Sequence, residues 1–211
     1  YPGKLAETLP QVLGDGRTPF GTADYMKRMV KVQHSPNVLQ AWMERYFDFA
    51  DAVIRHPDGN ARLVGWNASL SELLRQKKVV NGVIELTPEE YGSLGGLHIS
   101  TIRVEEYNGR KLSYSQAEQN EVLKYWAGDG LTLGNFLTVL AHNTGREELV
   151  SILFPPPRNV PYLQFWCFSS CSRTFGCNSL DYGAAYLLGV KKKKPHDFAS
   201  VWLESVEEMS R

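Results

Sequence analysis

The chain has 211 residues and a mass of 23.8 kDa, enough for one domain with or without an extended arm. Apolar residues make up 43% and charged residues 22%, which excludes wholesale disorder, and no run approaches the roughly 18 apolar residues of a membrane helix. Lys+Arg and Asp+Glu are both 23, a balance that argues against a protein held to nucleic acid by bulk charge.

Residues 1–33 carry Pro2, Pro10 and Pro19 with several glycines, and predict an irregular arm holding one short helix near 23–32. The first residue is Tyr1 rather than Met, which leaves room for a removed targeting segment. The clearest helix opens at Ser35, an N-cap residue followed by Pro36 at the first helical position. Val38, Leu39, Trp42, Met43, Tyr46, Phe47, Ala50, Val53 and Ile54 then form an apolar stripe at helical spacing, and His56-Pro57-Asp58-Gly59 reads as its stop.

Three capping-box patterns predict further helix starts: Ser69 with Glu72, Thr87 with Glu90, and Ser115 with Glu118. The last helix runs to about Trp126, Thr132 caps another, and 146–154 reads as a short one. Residues 79–86 and 98–104 carry the few strand signals, enough for a minor β-hairpin. Pro155-Pro156-Pro157 is the best candidate boundary; 160–178 shows no period, and 179–188 and 197–209 read as helices. The expected fold is therefore a predominantly all-α helical bundle: an irregular arm over 1–33, a helical core over 34–154, and a proline-bounded segment over 155–211 packed on that core.

Cys167, Cys171 and Cys177 are an odd set within one run, which points to a reducing compartment, cytoplasmic or an organelle matrix. Only the first pair has zinc-like spacing and a fourth ligand is missing, so no metal is expected. Cys177 is the candidate thiol, activated only if the fold brings Arg173 to it; otherwise all three are small buried thiols. His98, in a Gly-rich apolar stretch, is the candidate acid/base, against the plainer reading of a structural histidine. No phosphate loop or nucleophile elbow is present, and no cofactor is expected. Tyr162, Phe165, Trp166 and Phe168 are either core or, if exposed, an interface patch. Lys191, Lys192, Lys193 and Lys194 form either a solvated loop or a contact for an anionic partner, the one place where nucleic acid could touch.

Several segments resemble, in order, the carboxymuconolactone decarboxylase and alkylhydroperoxidase D-like family. They are Tyr1-Pro2 with Leu9-Pro10, His34-Ser-Pro-Asn-Val-Leu-Gln-Ala-Trp42, Leu112-Ser113-Tyr-Ser-Gln-Ala-Glu118, and Thr132 to Leu140 followed by Arg146-Glu-Glu-Leu149-Val150. The resemblance implies an all-helical fold. Redox members of that family use a C-x-x-C pair with a following His, but residues 57–111 hold no Cys, and only Cys177 matches half of the pattern. A second resemblance, Trp126 through Leu149, is to the last two helices of death domains. The expected function is a non-catalytic interaction or assembly subunit with protein partners or a homo-oligomeric state. The alternatives are a divergent decarboxylase-like or thiol-dependent enzyme for a small apolar or aromatic acid, using His98 and Cys177, and a death-domain-like adaptor. The missing cysteine pair makes an enzyme the lesser expectation.

Overall fold

The computed structural model describes residues 1–94, 100–144, 149–178, 180, 183 and 185–191. It is a mixed α/β structure, and the expectation of an all-α bundle is corrected by its sheet. The N-terminal part holds α1 (Leu5–Gly14), β1 (Arg17–Pro19), α2 (Thr22–Val32) and α3 (Pro36–Met43). Two strands follow, β2 (Tyr46–Arg55) and β3 (Asn60–Val64), then α4 (Ala68–Gln76), β4 (Ile84–Glu85), α5 (Pro88–Ser93) and β5 (Ser100–Arg103). A 3-10 turn (Val104–Glu106) leads to β6 (Lys111–Ser113), α6 (Tyr114–Gln119), α7 (Glu121–Ala127) and α8 (Gly130–Thr144). Among the remaining described residues the elements are strands: β7 (Leu149–Leu153), β8 (Tyr162–Ser169), β9 (Thr174–Asn178), β10 (Ala185–Leu187) and β11 (Gly189–Lys191).

Two long antiparallel strands, β2 and β8, carry the sheet, whose order is β5-β3-β2-β8-β9-β7-β6. Their outer edges are shared. Along β2, β10 pairs in parallel with Tyr46–Asp48 and β3 pairs with Ala52–Arg55. Along β8, β4 pairs at Tyr162 and Leu163 and β9 pairs from Phe165 to Ser169. The β2–β8 register shifts between Asp48 and Ala52, and such a bulge bends a strand and increases its twist.

Both faces of this sheet are buried. Tyr25, Met26 and Met29 of α2, Trp126 of α7, and Phe136 and Leu140 of α8 pack with Phe47, Phe49, Trp166, Phe168 and Phe175 on one side. Leu5, Leu9 and Val12 of α1 and Leu70 and Leu73 of α4 pack with Ala52, Ile54, Leu163 and Phe165 on the other. Burial on both faces removes the alternation that marks a half-exposed strand.

This is why the stripe through 35–55 misleads. The helix ends at Met43, and Tyr46–Arg55 is the central strand, buried at every position from Phe47 onward. A continuous apolar run of that kind has no periodicity that separates strand from helix. His56-Pro57-Asp58-Gly59 is a hairpin turn, with Gly59 at φ +91°. The 79–86 and 98–104 segments do not pair with each other: β4 joins β8 and β5 joins β3. The 146–154 helix is replaced by β7, and the 179–188 helix by β10 among the described residues. The expected helix at 197–209 lies outside the described residues. The arm at 1–33 is ordered as α1, β1 and α2, the last matching the helix expected near 23–32. Pro155-Pro156-Pro157 lies between β7 and β8, which both pair with β9 in one sheet.

The beginning of the chain is clasped to its last described strands. β1 pairs antiparallel with β11, Leu187 N–H donates to Tyr1 O at 3.0 Å, and Gly3 N–H donates to Ala185 O at 3.2 Å. Gly189 is required by close approach: a Cβ there would stand 2.7 Å from Val12 Cγ1 and 3.3 Å from Arg17 Cβ.

Candidate functional site

Among the described residues, the predicted site residues fall at different places in the fold. His98 lies outside the described residues, as do Lys192, Lys193 and Lys194. Lys191 belongs to β11, opposite Arg17. Cys177 sits on β9 opposite Trp166, and burial pushes its thiol well above the ordinary range. Cys167 is buried and shifted in the same direction, first by burial and then by the charge of Asp48. Both shifts oppose thiolate formation, and Arg173 does not relieve them: its Nη1 donates to the Tyr114 hydroxyl at 3.1 Å. Tyr162, Phe165, Trp166 and Phe168 are all buried, at most 1% exposed. They are core rather than contact surface, because β8 lies between two helical layers. Among the described residues no group of three or more His, Cys, Asp or Glu could hold a metal, and no helix is long and apolar enough to cross a membrane.

The structure assembles other groups instead. At one end of the sheet the α3–β2 corner meets β10 and the β8–β9 turn. Trp42, Met43, Tyr46 and Tyr186 are half-buried there, and Arg45 is exposed with its guanidinium 4.4 Å from the Tyr186 ring centroid. Beneath them Trp42 stacks on buried Tyr25 at 5.6 Å, Phe47 lies 5.3 Å from Trp42 and 6.4 Å from Tyr186, and Tyr25 shares a hydrogen bond of 3.2 Å with Ser170. Exposed Cys171 directs its thiol toward Met43 O at 3.8 Å, and Ser170 N–H donates to Arg45 O at 3.3 Å. The partly exposed aromatic layer thus rests on fixed core rings. Sequence reading passed over it because Trp42, Met43 and Tyr46 fit a helix stripe whose true end is Met43; the one available signal was the charged pair Glu44-Arg45 interrupting that stripe.

A second arrangement surrounds Asp51. Its buried carboxylate accepts Thr22 N–H at 2.5 Å and Trp66 N–H at 3.2 Å, joining the start of α2 to the β3–α4 loop. Burial raises its pKa, and the two backbone donors oppose that rise. A Cβ at Gly21 would meet Asp51 Oδ1 at 2.9 Å, so glycine lets the helix start sit against the carboxylate. Tyr125 donates to Leu63 O at 2.8 Å beside it. This is a structural bracket between helices and sheet.

Two of the cavities among the described residues lie away from both arrangements. One of about 410 Å³ lies between α1 and α4, lined mainly by Leu5, Leu9, Leu13, Leu74, Val79 and Leu180. The other, about 480 Å³, is polar and lies at the β2–β3 turn between Arg55, Asp58, Asn60, Arg103, Glu105 and Asn108.

No family model matches the chain, and no curated protein matches it. A solved structure described as "Accommodation of massive sequence variation in Nanoarchaeota by the C-type lectin fold" is similar over 89% of this chain and 92% of that one, with a TM-score of 0.62 and 13% identity. The chain has a C-type lectin fold. That finding, with the β2–β8 sheet, overturns the resemblance to the carboxymuconolactone decarboxylase family, whose fold is helical. Of the short matching segments, 34–42 and 112–118 contain helix starts, at Pro36 and Tyr114, a local signal that unrelated folds share, whereas Leu149 and Val150 begin strand β7. The death-domain resemblance fares no better at its end, since Leu149 opens strand β7 instead of extending a helix.

Proposed function

We propose that this chain is a non-catalytic recognition module, a C-type lectin scaffold that binds a protein partner through the end of the sheet formed by Trp42, Met43, Arg45, Tyr46 and Tyr186. The observation that carries this reading is the half-buried aromatic layer at that end, with Arg45 stacked 4.4 Å over Tyr186. Trp, Tyr and Arg dominate binding energy at interfaces, and rings already held in place lose little entropy when a partner docks. The solved structure of the same fold is described as accommodating massive sequence variation, and a scaffold that tolerates surface change is suited to presenting different contact residues. The raised pKa of Cys167 and Cys177 weighs against the thiol-enzyme alternative. The free state of Cys167, Cys171 and Cys177 supports a reducing compartment.

The test is chemical cross-linking of the protein in its native extract, with mass-spectrometric site mapping and sedimentation to separate self-association from a hetero-complex. Cross-links should cluster around 42–46 and 183–187. The double variant W42A/Y186A should abolish the complex, while R28Q, at an exposed position of α2, leaves it intact. A complex that survives W42A/Y186A overturns the reading.

A further inference from the structure

The polar cleft at the β2–β3 turn has no part in that recognition surface, and its chemistry is asymmetric. Its floor is Arg55, 2% exposed at the end of the central strand. Arg55 Nη1 donates to Gly59 O at 2.9 Å and Asn60 O at 3.2 Å, which fixes the turn, but Nε has no hydrogen-bond partner. Among the described residues no carboxylate lies within ion-pair distance of this guanidinium. A buried cation is strongly unfavourable without a counter-charge.

The nearest acid on the cleft wall does not supply one. Asp58 Oδ1 accepts Asn60 N–H and lies 2.9 Å from His56 Nδ1, while its Oδ2 accepts Asn60 Nδ2 at 2.9 Å. Three contacts hold that carboxylate to its own turn, and it makes no ion pair with Arg55. On the facing wall, exposed Arg103 ends β5 and its side chain makes no hydrogen bond or ion pair with the described residues. Asn108 accepts Phe154 N–H through Oδ1 at 2.7 Å, so its amide oxygen is committed and its amide N–H groups are left over. The uncommitted groups are thus mostly donors, two of them guanidinium, around a space of about 480 Å³. Glu105, exposed on the 3-10 turn, is the opposing charge on the rim.

The geometry points to a binding site for a small molecule carrying an oxyanion group, a carboxylate or a phosphate, held between Arg55, Arg103 and the Asn108 amide. Guanidinium groups match such anions in both charge and fork geometry. Arg55 supplies the buried end, where the field is least screened, and Arg103 closes over the ligand from the rim. Glu105 works against the anion, so the two rim residues have opposite expected effects.

The test uses sodium phosphate and sodium acetate as separate probes, titrated at constant ionic strength against sodium chloride, with backbone amide resonances of Gly59, Asn60 and Asn108 as the readout. Saturable shifts with either probe, absent with chloride, support the site, and the probe that binds tells phosphate from carboxylate. R103Q should weaken binding about tenfold and E105Q should tighten it a few-fold, roughly the effect of gaining or losing one charged contact. Both residues are exposed, so neither variant threatens folding, and R28Q on α2 controls for net charge. Shifts reproduced by chloride, or R103Q and E105Q both indistinguishable from R28Q, would overturn the proposal.

Discussion

Asp51 joins three parts of the chain, and removing it should show how much the sheet depends on that bracket. Asp51→Ala leaves Thr22 N–H and Trp66 N–H without their acceptor in a site that is 7% exposed at Asp51. Each orphaned buried donor costs about 1–3 kcal/mol. Relief from burying a charge offsets part of this, so a net loss of about 3 kcal/mol is expected, against the roughly 5–15 kcal/mol that holds a typical domain folded. Asp51→Asn keeps one acceptor and loses less. Because the folded pKa lies above the ordinary 3.8, the folded state binds the proton more tightly than the unfolded chain. The stability linked to this group is therefore fully present at low pH and is lost as pH rises through the folded value. Asn cannot titrate, so the advantage of the native protein over Asp51→Asn should shrink as pH rises above the ordinary carboxylate range. Urea unfolding followed by tryptophan fluorescence reads both effects as midpoint shifts at constant slope. An Asp51→Ala loss below about 0.5 kcal/mol, within the ordinary range of surface substitutions, would refute the bracket. So would a gap to Asp51→Asn that widens with pH.

Three other outcomes follow from the packing. Trp166→Ala, at a fully buried ring stacked on Trp126 at 5.6 Å and tilted against Phe154 at 5.4 Å, should cost about 3–5 kcal/mol in the same urea assay; a cost under 1 kcal/mol would place that ring at the surface. In the native protein a thiol reagent should modify exposed Cys171 fastest, half-buried Cys177 more slowly, and buried Cys167 only on unfolding; modification of Cys177 as fast as Cys171 would restore the reactive-thiol reading. Thr87→Ala removes the hydroxyl that accepts Glu90 N–H at the start of α5 and should lower stability by about 1 kcal/mol, read by thermal unfolding.

Local signals were legible in the sequence where their cause is local. Thr87 and Glu90 cap α5 reciprocally, with Pro88 in its first turn, because both bonds close within four residues. The third capping box is displaced by two residues, to Ser113 and Gln116, because Ser113 ends a strand and so already has the extended backbone an N-cap needs. What the sequence hides is whatever tertiary pairing decides. Tyr46–Arg55 and Tyr162–Ser169 become strands because each finds the other and both faces are covered by helices. Residues that meet β9, such as Ser151, Ile152 and Leu153, become strand for the same reason. The site residues were hidden twice over. Tyr186 reaches Arg45 across 141 positions of sequence through the parallel β10–β2 pairing, and Arg55 and Arg103 meet at one cleft because β3 lies between their strands.

The division of labour within the fold follows from the same pairings. The bulky aromatics that looked available for recognition, Tyr162, Phe165, Trp166 and Phe168, are buried in β8, the partner of β2, where they contribute stability. The groups proposed above to meet a partner or an anion lie where strands end: Tyr46 and Tyr186 at one end of β2, Arg55 and Arg103 at the other. A strand end fixes its last side chain through the ladder behind it while leaving the head to face solvent or a partner. Substitutions at these ends therefore change contacts without unstitching β2 from β8. The Trp42, Arg45 and Tyr186 surface and the Arg103 rim should each tolerate exchange at a small cost in stability, which is the property a recognition scaffold requires.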